Sequence, residues 1–162
     1  MHPDANMTPM THGAQNRCFG CGMANPEGLR LEFFLEADGS VVCFEEVPES
    51  FEGPPGCVHG GVIATLLDEA MSKAVRAQGV AAMTRTMEID YWRPTPSRRP
   101  LRIEGRLVAS EERKHWTEAQ ILDDAGTVLA SGKALFVQVR ASRMGIQGGR
   151  PAPDKGNPSA SG

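Results

Sequence analysis

The sequence predicts an α+β domain in which a curved antiparallel sheet wraps around one long central helix. Three observations predict it. One segment, residues 59–78, carries apolar side chains at helical spacing. Two strand-like runs precede it, and four or five follow it. The helix has one strong apolar stripe, and a single sheet packed against that stripe is a stable layer arrangement.

Taken in order, Leu29–Leu35 and Ser40–Val47 read as strands around Ala37-Asp38-Gly39, where Asp-Gly signals a hairpin. Pro48–Gly56 holds three prolines and two glycines and reads as a loop. From His59 to about Gln78, the residues Ile63, Leu66, Leu67, Ala70 and Ala74 fall on one helical face, with Thr65, Glu69, Ser72 and Arg76 away from it. Gly79 is a natural stop. Met83–Trp92 alternates until Pro94 and Pro96 end it. Leu101–Ser110 and Trp116–Leu122 follow, Asp123–Gly126 makes a turn, and Thr127–Val139 closes the series with an expected bend at Gly132.

The 162 residues fit one domain at 17–140 with two tails, 1–16 and 141–162. Both tails lack the apolar surface needed to offset chain entropy and read as disordered. A net charge of -3 without a dense basic run gives no sign of nucleic-acid binding. No apolar run reaches the roughly 18 residues of a membrane span. The start has neither the charged nor the apolar region of a secretory signal, so a cytoplasmic location is expected. Cys18 and Cys21 form a close pair in CFGCG. Without a second pair or two spaced histidines, they read as small turn residues beside glycines, and no metal or cofactor is expected.

Gly56–Asp68 reads GCVHGGVIATLLD. His59, Gly60 and Gly61 open the helix straight after a Pro/Gly loop. A helix start offers unpaired N–H groups at a positive dipole end, and glycines let a ligand approach them. Such a place suits the oxyanion of an acyl transfer, although two glycines also simply ease a tight helix entry. Asp68 lies nine residues after His59, about 13.5 Å along the axis. One helix therefore cannot bring its own start and Asp68 to one ligand, whereas two antiparallel helices of a symmetric dimer can. Asp68 sits about 120° around from the apolar stripe, on a flank that a partner can reach. Its neighbour Glu69 reads as an ordinary solvated acid.

The segment HGGVIATLLDEA resembles the signature of the hotdog-fold acyl-CoA thioesterases of the phenylacetate-degradation and thioesterase-superfamily type. CFGCGMANPEGLRLEF and TRTMEIDYWRPTP agree in the right order, so the resemblance covers about residues 16–140. It implies hydrolysis of an acyl-CoA or related acyl thioester to free acid and CoA by a homodimer, or a dimer of dimers (a homotetramer). Gly60 matches the residue whose N–H polarises the thioester carbonyl, and Gly61 continues that helix start. Asp68 matches the acid that acts as general base or nucleophile. Thr84 matches a hydroxyl position near the attacking water, and His59 orders the helix entry. Asn25 matches an asparagine near the site mouth. Arg85 and Arg93, with Arg98 and Arg99 nearby, and Arg113 with Lys114 at another turn, offer charge-assisted partners for CoA phosphates. The alternatives are a non-catalytic acyl-CoA-binding module of the same fold, a hydratase, which needs a helix His that is missing between Asp68 and His115, and a zinc-linked module built on CFGCG.

Overall fold

A computed structural model of the chain describes residues 2–140. Its strands are β1 (Thr8–Pro9), β2 (Phe33–Leu35), β3 (Val41–Glu45), β4 (Ala82–Tyr91), β5 (Leu101–Glu111), β6 (Lys114–Leu122) and β7 (Val128–Gln138). One α-helix, α1 (Gly60–Arg76), joins β3 to β4. The strands form one sheet in the order β1-β2-β3-β5-β6-β7-β4, antiparallel throughout. The helix touches β3, β4, β5, β6 and β7, so the sheet curves around it in the hotdog arrangement. No helix among the described residues is long and apolar enough to cross a membrane.

Turn chemistry fixes the hairpins. Gly39 takes φ +88° between β2 and β3, where the Asp38 carboxylate accepts from the Ser40 N–H and hydroxyl. Gly79, at φ +75°, stops α1 as expected and donates its N–H to the Arg76 carbonyl. β7 runs through Gly132 with its pairing unbroken on both sides, so the expected bend does not interrupt the strand.

The expected stripe of Ile63, Leu66, Leu67, Ala70 and Ala74 is buried, and Met71 and Val75 are buried with it. Beyond Asp68 the helix is covered on its other side too. The chain around residues 17–31 lies against it, and Glu69 and Lys73 are 9% and 4% exposed. Glu69 is thus no solvated acid, because the stripe predicts the face toward the sheet and not this second cover. The same cover shortens the first expected strand. The Leu29 and Leu31 N–H groups bond to Phe19 and Gly20 carbonyls, and β2 begins only at Phe33. The N-terminal segment, expected to lack structure, supplies β1: Thr8 and Pro9 pair with Leu35 and Phe34, and Met10 donates to the Phe33 carbonyl. The expected C-terminal tail, 141–162, lies outside the described residues.

The helix lies hard against β5 at Gly105. A Cβ there would fall 2.4 Å from the Ala70 carbonyl oxygen and 2.6 Å from its carbon, and backbone cannot yield as a side chain can. Gly105→Ala is therefore expected to destabilise the fold by about 1–3 kcal/mol or more. Urea unfolding that gives a wild-type midpoint would contradict this packing.

Candidate active site

The start of α1 is built from outside. His59 donates its N–H to the Phe51 carbonyl, and Val58 donates to the Thr95 carbonyl, so two loops hold the chain as it enters the helix. His59 then acts as N-cap, its Nδ1 accepting the Gly61 N–H at 2.9 Å. Accepting at Nδ1 requires a neutral ring with its proton on Nε2. Gly61 permits this, since a Cβ there would come 3.1 Å from that nitrogen. Gly60 differs. A Cβ at Gly60 would meet nothing nearer than the Tyr91 ring at 3.7 Å, and its φ is not positive, so packing within the chain does not demand a glycine. Its N–H finds no partner among the described residues, while its carbonyl accepts from the Tyr91 hydroxyl at 3.1 Å. One donor at the positive end of the helix dipole is thereby left open.

Asp68 lies two turns further on, half-buried on the flank of α1. The Thr84 hydroxyl donates to its Oδ1 at 2.6 Å. Burial raises the Asp68 pKa above the ordinary aspartate value, the Thr84 bond pulls it back, and the Glu69 charge adds to the rise. No hydrogen bond occupies Oδ2 among the described residues, which leaves an acceptor for water. Thr84 reaches Asp68 because of a β-bulge. β4 pairs Thr84 with Phe136 and Thr86 with Leu135, so Arg85 is an extra residue. After it, Met87 and Ile89 pack on the core and Tyr91 reaches the start of α1. Before it, Thr84 faces the helix. The inserted residue reverses which alternate positions look inward.

The structure therefore forms two groups, His59 with Gly60 and Gly61, and Asp68 with Thr84. Eight residues of helix keep Gly60 about 12 Å from Asp68 within one chain. Asn25 joins neither group. Its amide donates to the Arg17 carbonyl and its Oδ1 accepts from the Glu27 N–H, so it braces its own loop. Arg85 and Arg93 are exposed, and neither forms an ion pair among the described residues. Tyr91 carries no expected role in the sequence beyond its place in the stretch TRTMEIDYWRPTP. A hydroxylated aromatic at the end of a strand following the helix was the signal available.

Glu69 and Lys73 form a buried ion pair, Nζ to Oε2, at 2.9 Å. Burial works against both charges, yet each holds the other ionised. Glu69 sits below its ordinary pKa and Lys73 above. The ammonium also lies 5.7 Å from the Phe33 ring centre.

The chain is similar to known thioesterases in sequence and in fold. Residues 55–130 match the family model described as the thioesterase superfamily. The acyl-coenzyme A thioesterase THEM4 of Rattus norvegicus is 32% identical over 117 residues, which are 70% of this chain and 50% of the relative. The match thus spans about half the length of that curated relative. A crystal structure of a thioesterase-superfamily protein is similar with TM-score 0.73 and 35% identity, over 77% of this chain and 62% of that one. An X-ray structure of another protein from the thioesterase superfamily gives TM-score 0.62 and 30% identity over 69% and 86% of the two chains.

Two outcomes follow from the Asp68 environment. Removing the Thr84 donor in Thr84→Val is expected to raise the Asp68 pKa further, read by carbon NMR of the carboxyl group. An acid whose folded pKa exceeds its unfolded value binds its proton more tightly when folded. Stability is therefore lost as pH rises from the ordinary aspartate range through the raised folded value. Asp68→Asn should be more stable than wild type at neutral pH and match it in acid below that range. An equal or lower denaturant midpoint at neutral pH would refute this sign.

Proposed function

The chain belongs to the thioesterase superfamily, and from that membership we propose that it hydrolyses an acyl-CoA or related acyl thioester to the free acid and CoA. The observation that carries this reading is Asp68, held by Thr84 and partly desolvated, on the same helix whose start leaves the Gly60 N–H open.

In the proposed reaction Asp68 accepts a proton from water through its open Oδ2 as the oxygen attacks the thioester carbon. A carboxylate is a weak base in water, and burial brings its pKa closer to the working range. The alternative, direct attack by the carboxylate, uses the same geometry. The carbonyl oxygen gains charge and is stabilised by the Gly60 N–H at the helix start. Collapse breaks the C–S bond and releases the thiolate, which takes up a proton to leave as free thiol. Arg85 and Arg93, solvent-facing cations, are the proposed contacts for CoA phosphates.

The two groups must come from two chains, so the reading requires a homodimer. β4 supports it. This ten-residue strand ends the sheet and exposes Met83 and Tyr91 at 51% and 54%, with Trp92 just past its end at 62%, an open edge of the kind that pairs with another chain. The flank of α1 that bears Asp68 also carries Gly61, Ala64 and Thr65, small side chains that leave room for a second helix. In an antiparallel helix pair whose two-fold axis passes near Ala64, the axial offset within one chain cancels. Gly60 of one copy then lies opposite Asp68 of the other.

Asp68→Ala is expected to lower hydrolysis about 10²–10⁴-fold, measured by thiol release across a panel of acyl-CoAs. Sedimentation should still report a dimer. Full turnover in this variant, or a wild-type chain that is monomeric and active, would overturn the mechanism. Binding without turnover by wild type would favour the acyl-CoA-binding module instead.

A further inference from the structure

The pair Cys18 and Cys21 acquires a third member that the sequence keeps 48 residues away. The Cys18 Sγ lies 3.1 Å from Glu69 Oε1, and the two sulfurs and a Glu69 oxygen all lie within 4.8 Å of one another. Tetrahedral zinc with sulfur at about 2.3 Å and oxygen at about 2.0–2.2 Å sets its ligand atoms roughly 3.5–3.8 Å apart. These three groups therefore already approximate one face of such a tetrahedron.

The glycines of CFGCG are what make this approach possible. A Cβ at Gly20 would overlap the Glu69 side chain, its nearest atom at 2.3 Å, and one at Gly22 would strike the Cys18 backbone at 2.4 Å. The loop is bent tightly around the Glu69 carboxylate, with the Gly22 N–H donating to the Cys18 carbonyl. His12 provides an independent observation. Both of its ring nitrogens are shielded from solvent, and neither has a hydrogen-bond partner among the described residues. Its charge couples to Glu69 and Lys73, although its nitrogens lie outside the 4.8 Å cluster that Cys18, Cys21 and Glu69 form. A shielded imidazole with two bare nitrogens is costly unless something binds it.

We propose that Cys18, Cys21 and Glu69 bind a zinc ion, with His12, which lies outside the 4.8 Å cluster of those three, moving in to close the fourth position. Two thiolates with a carboxylate and an imidazole favour zinc over magnesium or calcium. Lys73 does not compete for the place. Its ammonium donates to Cys21 Sγ at 3.0 Å and to Glu69 Oε2, which leaves Oε1, on the Cys18 side, for the metal. Charge also balances. With both thiols protonated, Glu69 and Lys73 cancel. Zinc replaces the two thiol protons, which pass to solvent, and the buried total stays zero. In this role Lys73 is an outer partner that orients two of the ligands. The ion clips the N-terminal segment to α1 one residue from Asp68 without entering the proposed chemistry.

The test uses the full chain, purified reduced and without chelator. Elemental analysis is expected to find one zinc per chain. After stripping, Co²⁺ titration should produce thiolate-to-metal charge transfer and the strong visible absorption of a tetrahedral site. Cys18→Ser and Cys21→Ser should each lose the charge-transfer intensity, and His12→Ala should alter the visible bands. Asp68→Ala should bind metal as wild type does, which separates this proposal from the thioesterase reading. A folded, reduced wild-type chain that holds no zinc and gives no Co²⁺ band would overturn it, even if the cysteine variants fail to fold.

Discussion

Between Ala70 and Gly105 the helix backbone comes as near to the sheet as atoms allow, because β5 presents no side chain there. That contact sets the height of α1. With the helix so low, Leu66, Leu67 and Met71 are completely enclosed, and the middle of the helix sinks far enough for the chain around residues 17–31 to close over its back. A helix covered on two sides can no longer send its charged residues to water. Glu69 and Lys73 are consequently kept inside, where each is tolerated only because the other neutralises it.

The same helix divides its tasks along its length. Its first turn stays open, with His59 satisfying the Gly61 donor while the Gly60 N–H before it has no partner among the described residues. Its second and third turns carry Asp68 on a flank that is neither core nor free surface. Its last turns are structural. An open N–H and a half-desolvated carboxylate are both features a fold would rather avoid. They persist here because the contacts around them are firm: two loops at the helix entry, the Tyr91 hydroxyl on the Gly60 carbonyl, and the Thr84 hydroxyl on Asp68.

Much of this was legible in the residues. The long strands and the helix announce themselves by period, and Gly39 and Gly79 by their need for positive φ. Asp68, His59 and the two glycines stood out by spacing. What escaped did so for definable reasons. Glu69 looked solvated because periodicity locates a single buried face, and this helix has a second cover drawn from distant sequence. β1 is two residues long and has no period to detect. Asn25 was expected near the site mouth from the resemblance, and its amide is taken by the loop that contains it. The separate roles of Gly60 and Gly61 depend on the position of one imidazole ring, which no pattern encodes.

Arg85 carries a consequence for how relatives are compared. Because one additional residue in β4 swaps inward for outward, the position of Thr84 is defined by where that insertion falls rather than by its distance from Tyr91. An alignment that slides a gap by a single column here would equate a residue touching the carboxylate with one pointing to solvent. A hydroxyl at this position then counts as lost or gained between relatives when only the register of the strand has moved.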